Sequence, residues 1–83
     1  MDPTPEQVKQ YIAQALECSH IDVEGDGRHF SALIVSSAFE GKRAVARHQV
    51  VYAALGDRMR EEIHALAMRT LTPGEWEKEQ SNG

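Results

Sequence analysis

The chain has 83 residues, with 9 Lys and Arg against 13 Asp and Glu, a net charge of −4, four His and one Cys. That length accommodates one small domain that buries only about 60% of its unfolded surface, so its core is thin. An internal disulfide is excluded, no run approaches the ~20 apolar residues of a membrane span, and the overall charge disfavours nucleic-acid binding except through a local patch.

Thr4-Pro5-Glu6-Gln7 is a helix start, with a capping Thr, Pro at the first helical position and Gln to close a capping box. Val8, Ile12, Ala15 and Leu16 then recur at helical spacing, which predicts a helix over about 4–18. Ile21 and Val23 alternate with Asp22 and Glu24 as a short strand, and Gly25-Asp26-Gly27 is a turn. Phe30 to Ser36 is the clearest strand, completing a hairpin. Phe39 to Arg43 reads as a loop ending on a basic step. From Ala44 to Leu55 the pattern is helical, with Val45, Val51 and Leu55 joined by Ala44, Tyr52 and Ala54 in an apolar stripe. Gly56-Asp57 breaks this helix ahead of a short one over Arg58–Glu62, and Ile63 to Leu71 alternates as a third strand. Thr72-Pro73-Gly74-Glu75 repeats the cap-and-Pro pattern, which predicts a short final helical turn bearing Trp76. The expected architecture is α+β, in the order α-β-β-α-(α)-β-(α), a three-stranded sheet with helices packed on one face. A single domain spans 1–77, and 78–83 form a flexible polar tail.

The chemistry-bearing residues are few. Arg28-His29 follows the glycine turn at the mouth of the hairpin, where a histidine is either solvated or well placed to meet a ligand. His64 lies among Ile, Ala, Leu and Met, either as a satisfied core residue or as a borderline ligand for iron or zinc. His48 falls on the polar side of its helix, and Cys18 near His20 suits a partly buried structural thiol. One Cys and four His are too few for a self-contained structural zinc site but enough for half of a shared one. There is no nucleophile elbow, phosphate loop or dinucleotide fingerprint, so enzymatic activity has no positive support. Residues 42–60 carry Lys42, Arg43, Arg47, Arg58 and Arg60 against Asp57 alone, either a solvated helical face or a phosphate-contacting patch. The N-terminal MDPTPEQ lacks a basic n-region and an apolar h-region, which makes the cytoplasm the expected compartment.

Several segments, taken together and in order, resemble the BolA family. They are Val35-Ser36-Ser37-Ala38-Phe39-Glu40-Gly41, Arg47-His48 with Val51-Tyr52 and Leu55, Ile63-His64-Ala65-Leu66, and Thr72-Pro73 with Glu75-Trp76. Gly25-Asp26-Gly27 followed by His29-Phe30 points to its short-loop, IbaG-like branch. The resemblance covers about residues 5 to 77. It implies a class II KH-like α+β fold and a partnership with a monothiol glutaredoxin, the two proteins sharing a [2Fe-2S] cluster. In that arrangement the glutaredoxin supplies one thiolate and its bound glutathione another. This chain would contribute His64 and a second ligand from the hairpin loop. Family members usually place a Cys or His a few residues before the aromatic that opens strand two. Here that position is Asp26, a hard ligand, and His29 is the nearest imidazole. The resemblance also implies an alternative role in DNA-binding regulation of stress or morphology responses, which maps onto Lys42, Arg43 and Arg47.

Overall fold

The computed structural model of the chain describes residues 2–63 and 65–82. The capping box forms as the sequence predicts: Thr4 Oγ1 accepts the Gln7 N–H at 3.1 Å, and Gln7 Oε1 accepts the Thr4 N–H at 2.9 Å. Helix α1 (Pro5–Ala15) is shorter than expected, because Leu16 turns extended (φ −140°, ψ 126°) and Cys18 therefore lies beyond the helix. Strand β1 (His20–Gly25) pairs antiparallel with β2 (His29–Val35), which pairs parallel with β3 (Ala65–Leu71), leaving β2 in the centre. A parallel pair cannot be closed by a tight turn, since the chain must travel back to the same end of the sheet. The crossover is made by a 3-10 turn (Ser37–Phe39), α2 (Ala44–Leu55) and α3 (Asp57–Glu61).

Strand alternation decides the core. Phe30, Ala32 and Ile34 of β2 face the same way as their register partners Ile21, Val23, Leu66 and Met68. Val8 and Ile12 of α1 and Val51 and Leu55 of α2 pack on that face, with Phe39 and Ile63 closing the cluster. Each fully buried aliphatic or aromatic side chain stabilises by about 1.5–3 kcal/mol, so a core this small depends on every member. Ser36 is buried among them, its Oγ donating to Glu17 O at 2.7 Å and accepting the Ala38 N–H at 3.1 Å.

Three further features differ from the sequence reading. The apolar stripe of α2 is narrower: Val45 is 71% and Tyr52 41% exposed. Those two residues, seven apart, share a face rotated by about 100° from Val51, and one packed face cannot bury both. Ile63 is buried but precedes β3, because its N–H and that of Glu62 both turn back to Arg58 O at the end of α3. The last element is a full helix, α4 (Pro73–Asn82), so residues 78–82 continue as helix where a tail was expected. Thr72 and Glu75 close a second capping box at its start. Glu79 pairs with Arg69, and Trp76 stacks on His20 with ring centroids 4.7 Å apart. His20 and Arg69 belong to the side of the sheet opposite Phe30 and Ile34 by strand alternation. The helix α4 therefore lies on the face not covered by α1 and α2, so the helices do not all pack on one face of the sheet as expected. No helix among the described residues is long and apolar enough to cross a membrane.

Candidate metal-ligand turn and basic surface

The hairpin turn is built to hold its backbone and release its side chains. At Gly25 a Cβ would stand 2.3 Å from His29 O, so only glycine lets the strands close there. Asp26 Oδ1 accepts the backbone N–H groups of His29 at 2.8 Å and Arg28 at 2.9 Å, and the Asp26 N–H returns to His29 O. These bonds, that from His29 foremost, hold the Asp26 carboxyl below the usual carboxylate range. Gly27 supplies a left-handed φ of +97°. Arg28 and His29 are left pointing into solvent, with the His29 side chain 78% exposed and its Nδ1 3.8 Å from Asp26 Oδ2.

The sheet register brings this turn to the start of β3. His29 is the partner of Ala65, and the Ala65 N–H donates to Arg28 O at 3.1 Å. The expected ligand His64, which precedes Ala65 in the chain, lies outside the described residues. The segment before it is anchored to α1: the Tyr11 hydroxyl donates to Glu62 Oε1 at 3.1 Å, and Arg58 Cζ sits 3.9 Å from the Tyr11 ring centre. The bond to Glu62 raises the Tyr11 pKa. Sequence reasoning missed this tether, because contacts between α1 and α3 carry no local pattern.

The donor chemistry is that of a partial site. Among the described residues no group of three His, Cys, Asp or Glu could hold a metal ion. Asp26, at the position where the sequence resemblance leads one to expect a ligand, already spends one carboxylate oxygen on the turn. His29 is an accessible imidazole, a donor that suits iron when soft thiolates come from elsewhere. The remaining candidates lie apart from this turn. His20 is in register with Val35, at the other end of the sheet from His29, with Nε2 2.7 Å from Asp22 Oδ2. His48 is half-buried on α2. The Cys18 thiol is half-buried, donates to Leu16 O at 3.3 Å and has its pKa raised by burial.

The basic set divides. Arg47, expected on one surface with Lys42 and Arg43, is drawn inward and its side chain is only 14% exposed. Its Nε donates to Lys42 O at 2.7 Å and its Nη1 to Thr70 O at 3.1 Å. The guanidinium grips both Glu75 carboxylate oxygens, at 2.7 and 3.2 Å. Arg47 first, then the Thr72 N–H, lowers the Glu75 pKa to about 2. A guanidinium so committed is a brace between α2 and α4 and not a free phosphate contact. Arg58 lies over Tyr11, and Arg60 pairs with Asp57 at 3.5 Å. Lys42 and Arg43 remain exposed.

Comparison with known proteins agrees with this fold. The family model described as BolA-like protein matches residues 6–75. The human BolA-like protein 2 is 34% identical, covering 95% of this chain and 96% of the relative. The acid stress protein IbaG of Escherichia coli K12 is 31% identical, covering 88% of each. A solved bolA homologue from Coxiella burnetii superposes with a TM-score of 0.80 at 45% identity, covering 90% of this chain and 97% of that one. The chain belongs to the BolA-like protein family, whose members are accessory or regulatory proteins and not enzymes.

Proposed function

We propose that this protein is a cytoplasmic iron–sulfur accessory factor that binds a monothiol glutaredoxin and shares a [2Fe-2S] cluster with it, for assembly, delivery or sensing. The observation that supports the reading best is the placement of His29. A rigid turn presents its exposed imidazole in register with Ala65, the residue that follows His64 in the chain. In this reading His64 and His29 donate neutral imidazole nitrogens. Asp26 fixes the backbone of Arg28 and His29, and the Tyr11–Glu62 bond anchors the segment that leads into His64. Soft thiolates come from the partner and its glutathione. The cluster, when bound, supplies an electron-accepting centre whose potential is raised where imidazole replaces thiolate on one iron. The E. coli relative named for acid stress supports placing this role in a stress response.

The test is titration of the protein into a cluster-loaded monothiol glutaredoxin, followed by visible absorption and circular dichroism. A one-to-one complex with a spectrum different from that of the loaded glutaredoxin alone is expected. An unchanged spectrum at saturating protein would overturn the proposal.

Nucleic-acid binding is a second reading, favoured by the exposed Lys42 and Arg43 immediately before α2. It predicts binding that weakens with salt and a shallower salt slope in Lys42→Ala/Arg43→Ala. No shift of DNA or RNA at low salt would remove it.

A further inference from the structure

The arginines sort into those already engaged and those held ready. Arg47, Arg60 and Arg69 sit in ion pairs and Arg58 covers an aromatic ring. Arg43, exposed before α2, and Arg28 have no such partner among the described residues, and of these two it is Arg28 whose backbone is fixed on both sides. Its N–H is bound to Asp26 Oδ1 at 2.9 Å, and its carbonyl accepts the Ala65 N–H at 3.1 Å. On so constrained a backbone, engaging the guanidinium costs side-chain entropy but little further backbone entropy. The carboxylate of the turn, Asp26, spends its Oδ1 on the backbone N–H groups of Arg28 and His29, and its Oδ2 stands 3.8 Å from His29 Nδ1. Arg28 immediately precedes His29 at the sheet end where β2 and β3 begin, exposed and without an ion-pair partner among the described residues. A planar, permanently charged fork of N–H groups matches a carboxylate.

We infer that Arg28 is a recognition residue for a carboxylate presented by the thiolate-bearing side of the shared site. This deepens the proposed function and rests on it. Such a carboxylate has two sources, bound glutathione or an acidic side chain of the glutaredoxin itself. Arg28 does not ligate the metal. It selects a partner whose anionic group arrives at the turn that carries His29.

The test compares wild type, Arg28→Gln, Arg28→Lys and a charge-matched control, Lys9→Gln on α1, by calorimetric titration. Each is titrated into glutaredoxin in two forms, one loaded with cluster and glutathione and one free of both. Arg28→Gln is expected to weaken binding roughly five-fold, as for a partly exposed charge-assisted contact, with Arg28→Lys recovering part of it and Lys9→Gln matching wild type. A loss confined to the loaded form assigns the carboxylate to glutathione, and an equal loss in both forms assigns it to the glutaredoxin. Wild-type affinity of Arg28→Gln for both forms, or an equal loss in Lys9→Gln, would overturn the inference. The circular dichroism of the loaded Arg28→Gln complex should match wild type, because no ligand has changed. Failure of wild type itself to bind would instead overturn the proposed function, so the two failures are distinguishable.

Discussion

Gly25→Ala is the substitution against which the hairpin turn has least defence. The added Cβ would stand 2.3 Å from His29 O, 2.8 Å from Phe30 Cδ1 and 2.9 Å from Phe30 Cα. Two of those three atoms are backbone, so no rotamer change relieves the overlap. The strand ends must part, against the Asp26 N–H to His29 O bond and a Phe30 ring that is 3% exposed. Overpacking of this kind costs about 1–3 kcal/mol. Gly41→Ala sets the scale, because Gly41 has φ +76° and open space around it, leaving only the left-handed penalty of about 1–2 kcal/mol. In a domain of this size each kcal/mol moves Tm by about 4–8 °C. Because backbone atoms are overlapped, the upper part of the overpacking range, ~2–3 kcal/mol, applies to Gly25→Ala and lowers its Tm by roughly 8–24 °C, more than in Gly41→Ala. Scanning calorimetry of both variants reads this directly. A smaller shift in Gly25→Ala than in Gly41→Ala would refute the close-approach reasoning. The parted strands should also displace His29, so this variant should bind the loaded glutaredoxin more weakly at temperatures where it remains folded.

Three further outcomes follow from the geometry. Ser36→Ala leaves Glu17 O and the Ala38 N–H without their buried partner, which should lower stability by about 1–3 kcal/mol in urea unfolding with an unchanged slope. The Glu75 carboxyl falls from its ordinary 4.5 to about 2 in the folded protein, so its contribution is fully present above the ordinary value and is lost as pH drops through about 2. The stability gap between wild type and Glu75→Gln should accordingly be constant from pH 7 to about 5 and close below that, as pH-dependent urea melts would show. The Cys18 thiol, with its pKa raised by burial, should react with a disulfide reagent at pH 7.5 more slowly than free cysteine, and urea should abolish the difference.

The order of elements was legible because its signals are local. Capping boxes at Thr4 and Thr72, the Gly25-Asp26-Gly27 turn and the alternation of Phe30, Ala32 and Ile34 each act within a few residues. What was not legible depends on contacts between distant segments. Nothing near Arg47 in the chain announces Glu75, 28 residues away, so a brace looked like part of a basic surface. The length of α4 was hidden for the same reason: Trp76 and Glu79 gain support from His20 and Arg69 on the sheet. The stripe of α2 was drawn too wide because hydropathy alone does not say which of two apolar faces meets the sheet. At the candidate site, His29 and Asp26 could be singled out from the turn. The binding of both Arg28 and His29 N–H groups by Asp26 explains in hindsight why an acid suits that position.

If this chain supplies histidine to a cluster whose thiolates come from its partner, circular dichroism of the loaded glutaredoxin complex will separate wild type, His64→Ala and His29→Ala. His64→Ala should lose the spectrum of the shared cluster and His29→Ala should alter it, while the thermal melts of both free variants stay close to wild type. Spectra from both variants indistinguishable from wild type at saturation would rule out histidine ligation by this chain.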